Sequence, residues 1–192
     1  MLRLWTRAGK SASPHRIAPE ELRTQGRGHG GGGGAVVVHV VLIGGGLWGL
    51  ICCGCLWRWD VREHRLPNRW TGLLALGGFV TAGVVCLLAG TVSALIGAVL
   101  GAAGYALSMG VLRLLSRGQL GMGDVKLAVG LGAYTGLWGL GVTAVAALLG
   151  VVLGGLAALG AVVLGRARID SSLPYGPPMM LGAFGALVLA AT

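Results

Sequence analysis

Residues Trp70 to Leu112 contain no charged side chain, and this uninterrupted apolar length constrains the chain more than any other feature. One crossing of about 30 Å of hydrocarbon takes roughly 20 helical residues at a rise of about 1.5 Å each. The run is about twice that length, so it must cross, turn near Gly90 and Thr91, and cross back. The same reasoning applies to the uncharged run from Leu127 to Leu164, with a turn expected among Gly136, Trp138, Gly139 and Gly141. A run from Ala35 to Trp57 suits one further crossing. The last run, Pro177 to Thr192, is short for a full one. These spans predict an all-α polytopic membrane bundle of about six transmembrane helices.

Composition agrees with a bilayer protein. Only 11% of the 192 residues are charged and 55% are hydrophobic, where a soluble domain carries about a quarter charged residues. The 38 glycines weaken soluble helices but let membrane helices approach closely. The formal net charge of +9 does not indicate nucleic-acid binding, because the basic residues cluster between the apolar runs. Cys52, Cys53, Cys55 and Cys86 lie inside apolar runs and lack the two CxxC pairs of a zinc site, so no disulfide framework and no metal is expected.

Residues 1–34 are polar, basic and glycine-rich at their end, and are expected to form a disordered tail ahead of a membrane-embedded domain at 35–192. A start codon assigned too far upstream would also account for such a segment. The threading places three loops on one side: Arg58 to Arg69, Arg113 to Lys126, and Gly165 to Gly176. Nine of the 15 basic residues lie in them, which by the positive-inside rule makes them cytoplasmic. The other six are in the tail, which the same threading puts outside; three loops in agreement outweigh it.

Six acidic residues exist, and outside the tail they are Asp60, Glu63, Asp124 and Asp170. A carboxylate at a membrane boundary is costly unless solvated, paired or used. Asp60 and Asp124 fall at helix ends on the same predicted face, two spans apart, so they can meet. Two close carboxylates do not both ionise cheaply; one holds a proton while the other stays a base, the division that peptide hydrolysis needs. Taken singly, Asp60 also suits an ion pair with Arg58, Arg62 or Arg65, and Asp124 suits capping of a helix beginning at Val125. Glu63 and His64 read as solvated loop residues, Pro67 as a residue that opens a helix, and Asp170 as a partner of Arg166 or Arg168.

The local sequences favour the joint reading. Asp60-Val61-Arg62-Glu63-His64-Arg65-Leu66-Pro67-Asn68 and Gly121-Met122-Gly123-Asp124-Val125-Lys126-Leu127 resemble the two signature segments of the type IV prepilin peptidases, an Asp followed by a Pro-Asn pair and a downstream GxGD-V-K. Tyr175-Gly176-Pro177-Pro178 resembles the Gly-Pro stretch that opens that family's last helix. The resemblance covers roughly Leu50 to Ala183 and implies a membrane aspartyl endopeptidase of the inner (cytoplasmic) membrane, with Asp60 and Asp124 as catalytic pair on the cytoplasmic face and no metal or cofactor.

Gly121 and Gly123 are expected to leave room for close approach to Asp124. Lys126 is read as a topology anchor or a stabiliser of nearby negative charge, with Pro67, Asn68, Gly176 and Pro177 supporting. The implied partners are the lipid bilayer and prepilin-like precursors with a short basic leader ahead of a hydrophobic helix, with self-association allowed and no nucleic acid. Larger relatives add a cytoplasmic region with CxxC motifs that methylates the new amino terminus. None is present here, so peptidase activity without methylation is expected, as in the short peptidases of Flp and competence-type systems. Two further readings remain open on the sequence: a small proton- or cation-coupled transporter component, and a non-catalytic pilus or secretion assembly subunit.

Overall fold

Six helices account for nearly all of the described residues of the computed structural model, which are 31–63, 67–116, 120–164 and 175–192. They are α1 (Gly31–Glu63), α2 (Asn68–Ala89), α3 (Ser93–Leu115), α4 (Met122–Gly136), α5 (Leu140–Val163) and α6 (Gly176–Ala191). Four of them, α1, α2, α3 and α5, are long and apolar enough to cross a membrane. Leu76, Leu87, Leu107, Leu148 and Leu189 are exposed, so large apolar side chains cover the outer surface as lipid requires. Residues 1–30 of the expected tail, His64 and the Asp170 segment lie outside the described residues, as does the side chain of Glu63.

The turns fall where the uncharged runs demand them. α2 opens after Pro67, whose carbonyl accepts from the amides of Trp70 and Thr71, and it ends at Gly90 with φ 63, the left-handed conformation in which glycine has no steric penalty. Gly139, with φ 119, joins α4 to α5. Pro177 and Pro178 stand in the first turn of α6, where a missing N–H costs nothing because those donors have no partner within the helix.

Two helices differ from the sequence expectation. α1 starts at Gly31 and continues to Glu63, through the segment read as the start of a loop at Arg58. At about 50 Å it exceeds the hydrocarbon thickness, so its charged last turns can extend past the lipid while the helix keeps its own backbone hydrogen bonds. α4, expected as a full crossing, has 15 residues, about 22 Å. It does not need to face lipid, because it packs against α2, α3, α5 and α6. α6, with 16 residues, is also short, as expected.

α4 is thus the axis of the bundle, and its seam with α3 is built from glycine. Gly97 and Gly101 on α3 face Gly132 and Gly136 on α4, and a Cβ on any of the four would run into a backbone carbonyl of the facing helix. The GxxxG spacing on both helices lets the backbones touch. Gly136→Ala is expected to lower stability by about 1–3 kcal/mol through overpacking against backbone that cannot rotate away. Gly83→Ala on α2, whose Cβ would meet nothing within 4 Å, is expected to be neutral or stabilising by less than about 1 kcal/mol. Melting of the purified protein in detergent measures both.

Candidate active site

Three helices end at one place. Asp60 lies in the last turn of α1, Asp124 in the first turn of α4, and Gly176 opens α6. Both carboxylates are buried, at 3% and 6% exposure, a placement that charged side chains adopt only when hydrogen-bonded, paired or neutralised. The Gly176 amide donates to Asp60 Oδ2 at 3.1 Å. As the first N–H of α6 it has no partner within the helix, and it carries the positive end of the helix dipole to the carboxylate.

Gly176 is also where the two acidic helices converge. A Cβ there would stand 2.7 Å from Asp60 Oδ2 and 3.7 Å from Leu127 Cδ2, and Leu127 is one turn along α4 from Asp124. The two carboxylates are electrostatically coupled. Asp124 lies ahead of Leu127, where the apolar run of α4 begins, and its pKa is pushed up to about 7. The largest cause is burial and the next is the charge of Asp60; a hydrogen bond from the Gly121 backbone and the charge of Arg113 act the other way. The arrangement can therefore hold a proton on a carboxyl group near neutral pH beside a second carboxylate.

The remaining predicted residues divide into two sets. Gly121 caps α4 in an extended conformation, and a Cβ there would lie 3.2 Å from Asp124 Oδ2, so the space beside that carboxylate depends on its being glycine. Gly123 is half-buried one residue away, and Pro177 is buried directly behind Gly176. Pro67, Asn68 and Lys126 form the second set. Lys126 Nζ donates to Asn68 Oδ1 at 2.9 Å on the exposed side, which ties α4 to the start of α2. Lys126 thus serves the joint between the two signature segments.

Two residues near Asp124 were not among the sequence candidates. Arg113, counted there only for topology, donates to the Leu120 carbonyl from the end of α3, which fastens the segment leading into Gly121. Tyr175 lies over Gly154 of α5, where a Cβ would overlap its ring. Burial raises its phenol, and Asp124 raises it further. The only sequence signal for it was its position beside Gly176.

The raised Asp124 has a consequence for stability. A carboxyl that binds its proton more tightly in the folded state stabilises the fold fully below its unfolded pKa near 4, and the contribution is lost as pH rises through about 7. The protein is expected to lose on the order of a few kcal/mol between pH 4 and pH 8 from this group. Asp124→Asn should flatten that dependence in a series of melting curves.

No curated protein and no solved structure matched the chain. The sequence model of the type IV leader peptidase family matches residues 47–159, a stretch that contains Asp60 and the whole of Gly121 to Leu127 and stops short of Gly176. With more than half its length matched, the chain belongs to the type IV leader peptidase family.

Proposed function

We propose that this protein is an aspartic-type endopeptidase that removes the leader from prepilin-like precursors at the cytoplasmic face of the cell membrane, with Asp60 and Asp124 as its catalytic pair. The observation that carries this reading is the burial of two carboxylates, one from each signature segment, on helices that converge at the N-terminus of a third. The cytoplasmic orientation is supported by Arg58, Arg62, Arg69, Arg113 and Lys126, which among the described residues stand at the same helix ends as this pair or at the helix ends joined to them in sequence.

In the mechanism, the pair shares one proton. The ionised carboxylate takes a proton from water as the water oxygen attacks the scissile carbonyl carbon, giving a tetrahedral intermediate. The protonated partner then delivers its proton to the departing amine nitrogen as the C–N bond breaks. The products are a carboxylate on the leader and a free amino terminus on the mature chain. The Gly176 N–H holds the Asp60 carboxylate in place through the cycle, and the coupled pair, rather than either residue alone, sets the pH dependence.

The substrate class follows from where the pair sits. A precursor whose hydrophobic helix lies in the bilayer and whose basic leader stays in the cytoplasm presents the junction of the two at that level. Purified protein in detergent, given a synthetic prepilin, is expected to release the leader by a single cut at that junction, read by mass spectrometry of both products. EDTA should leave the rate unchanged. Intact precursor after prolonged incubation, or cuts scattered along the chain, would refute the assignment.

A further inference from the structure

A groove of about 610 Å³ runs along the bundle between α1 and α6, with Leu74 of α2 and Leu131 of α4 at its back. Its walls follow helical stripes. On α1 the lining residues include Gly46, Cys53 and Trp57, and the same face, continued by three residues, reaches Asp60. On α6 they include Met180, Phe184 and Leu187, and that face continued back by one turn reaches Gly176. On α4 the stripe through Leu131 runs back seven residues to Asp124. Three independent faces that line one groove therefore end at the three residues of the candidate active site.

Among the described residues no charged side chain lines the groove, and its α1 wall is cut low by glycine. Gly46 and Gly54 would meet nothing within 4 Å if they carried a Cβ, so their small size does not serve packing within this chain. α1 itself is held mainly through α2 and meets α6 only sparsely, which leaves the groove open on the lipid side. An apolar helix can pack there with its side chains over Gly46 and Gly54.

We infer that this groove is the docking site for the hydrophobic helix of the substrate, seated between α1 and α6 with its cytoplasmic end directed at Asp60 and Asp124. This rests on the proposed function and adds the binding surface and its register. An acyl chain would also suit an apolar groove, but it has no peptide bond to offer where all three stripes converge. A peptide bond inside a helix has its carbonyl tied in the i→i+4 ladder, so the bond that is cut must lie beyond the helix end. The groove stops at Trp57, one turn short of Asp60, and leaves room for a few extended residues between the docked helix and the carboxylates.

The register is testable with the chain's own Cys53. It lies seven residues, about 10 Å, below Asp60 on the groove face. The probe is a synthetic precursor with a basic leader, a glycine before the cut and an apolar helix of about 20 residues. A single cysteine is moved through that helix, and the enzyme carries Asp124→Asn so that cleavage does not intervene. Disulfide formation with Cys53 is expected to peak at roughly five to seven residues after the cut, to recur with the 3.6-residue helical period, and to vanish in Cys53→Ser. In the otherwise wild-type enzyme, Gly54→Leu, which fills the groove from an open position, is expected to raise KM for the same precursor at least tenfold with kcat within about twofold.

Absence of any cross-link to Cys53, cross-linking without helical period, or an unchanged KM in Gly54→Leu would overturn the groove assignment even while wild-type protein cleaves the probe. A Cys53-to-Cys53 link between two copies in the absence of probe would assign the groove to self-association and overturn it as well. Failure of wild-type protein to cleave, with cross-linking in the expected register, would count against the peptidase reading and leave the docking surface standing.

Discussion

Asp60→Asn and Asp124→Asn are each expected to reduce leader cleavage by at least about 10²- to 10⁴-fold, the range that positioned acid–base groups contribute. The substitution keeps side-chain volume while removing the charge and the ability to gain or lose a proton. At position 60 the amide oxygen can still accept the Gly176 N–H that reaches Asp60 Oδ2 at 3.1 Å, so α1 and α6 should remain joined. At position 124 the change removes a group whose ionised form is disfavoured by burial and by Asp60, so folding above neutral pH should be retained or improved. Loss of activity with an intact melting transition is therefore the expected pair of results.

The double variant separates a shared mechanism from two independent contributions. Two residues that act as one unit lose nearly everything at the first substitution, so Asp60→Asn with Asp124→Asn should be no slower than either single change. Initial rates of precursor cleavage, measured beside melting in the same detergent, check both points. A single variant that cuts at the wild-type rate would exclude the carboxylate pair as the catalytic centre.

Much of the fold was legible because the lipid demands it. An uncharged run twice the length of one crossing must turn, and glycine is the residue that turns most cheaply, so the turn at Gly90 could be placed from the sequence and Gly139 was one of four residues among which the second was expected. The ends of α1 and the shortness of α4 could not. Hydropathy falls at Arg58 although the helix continues to Glu63, since charged residues end the lipid span without ending the backbone hydrogen bonds. The apolar residues of α4 looked lipid-facing because a sequence shows their polarity and not their neighbours; in the bundle they are covered by other helices.

The site was legible in part for a related reason. Asp60 and Asp124 stand out because acids are scarce in this chain, and a scarce, costly group at a helix end invites a reason. Lys126 and Asn68 could each be singled out from its segment, but not their hydrogen bond to one another across 58 residues. Arg113 and Tyr175 gave no such signal, since an arginine at a span end already has a topological role and a tyrosine at a helix start has a packing one. Their relation to Asp124 exists only once α3, α4 and α6 meet at one end of the bundle.

Gly176→Ala is expected to lower kcat by about 10²-fold while leaving the fold largely intact. The new methyl would stand 2.7 Å from Asp60 Oδ2 and 3.3 Å from Asp60 Cγ, closer than carbon and oxygen tolerate, so one of them must move. The backbone of Gly176 is fixed between Tyr175 and the buried Pro177 and Pro178. The Asp60 carboxylate is the end of a side chain and can rotate, so it yields first, at a cost of about 1–3 kcal/mol for its hydrogen bond. The same rotation takes it off the Gly176 amide and alters its placement relative to Asp124, and a displacement of about 1 Å at a reacting group can cost about 10²-fold in rate. The expected signature is a fall in kcat of about 10²-fold with a cooperative melting transition retained at a modestly lower temperature. KM for a helix-bearing precursor should hold as well, because Gly176 lies beyond the end of the groove that seats the helix. Wild-type kcat in Gly176→Ala would show that the position of Asp60 against the start of α6 does not matter to the reaction.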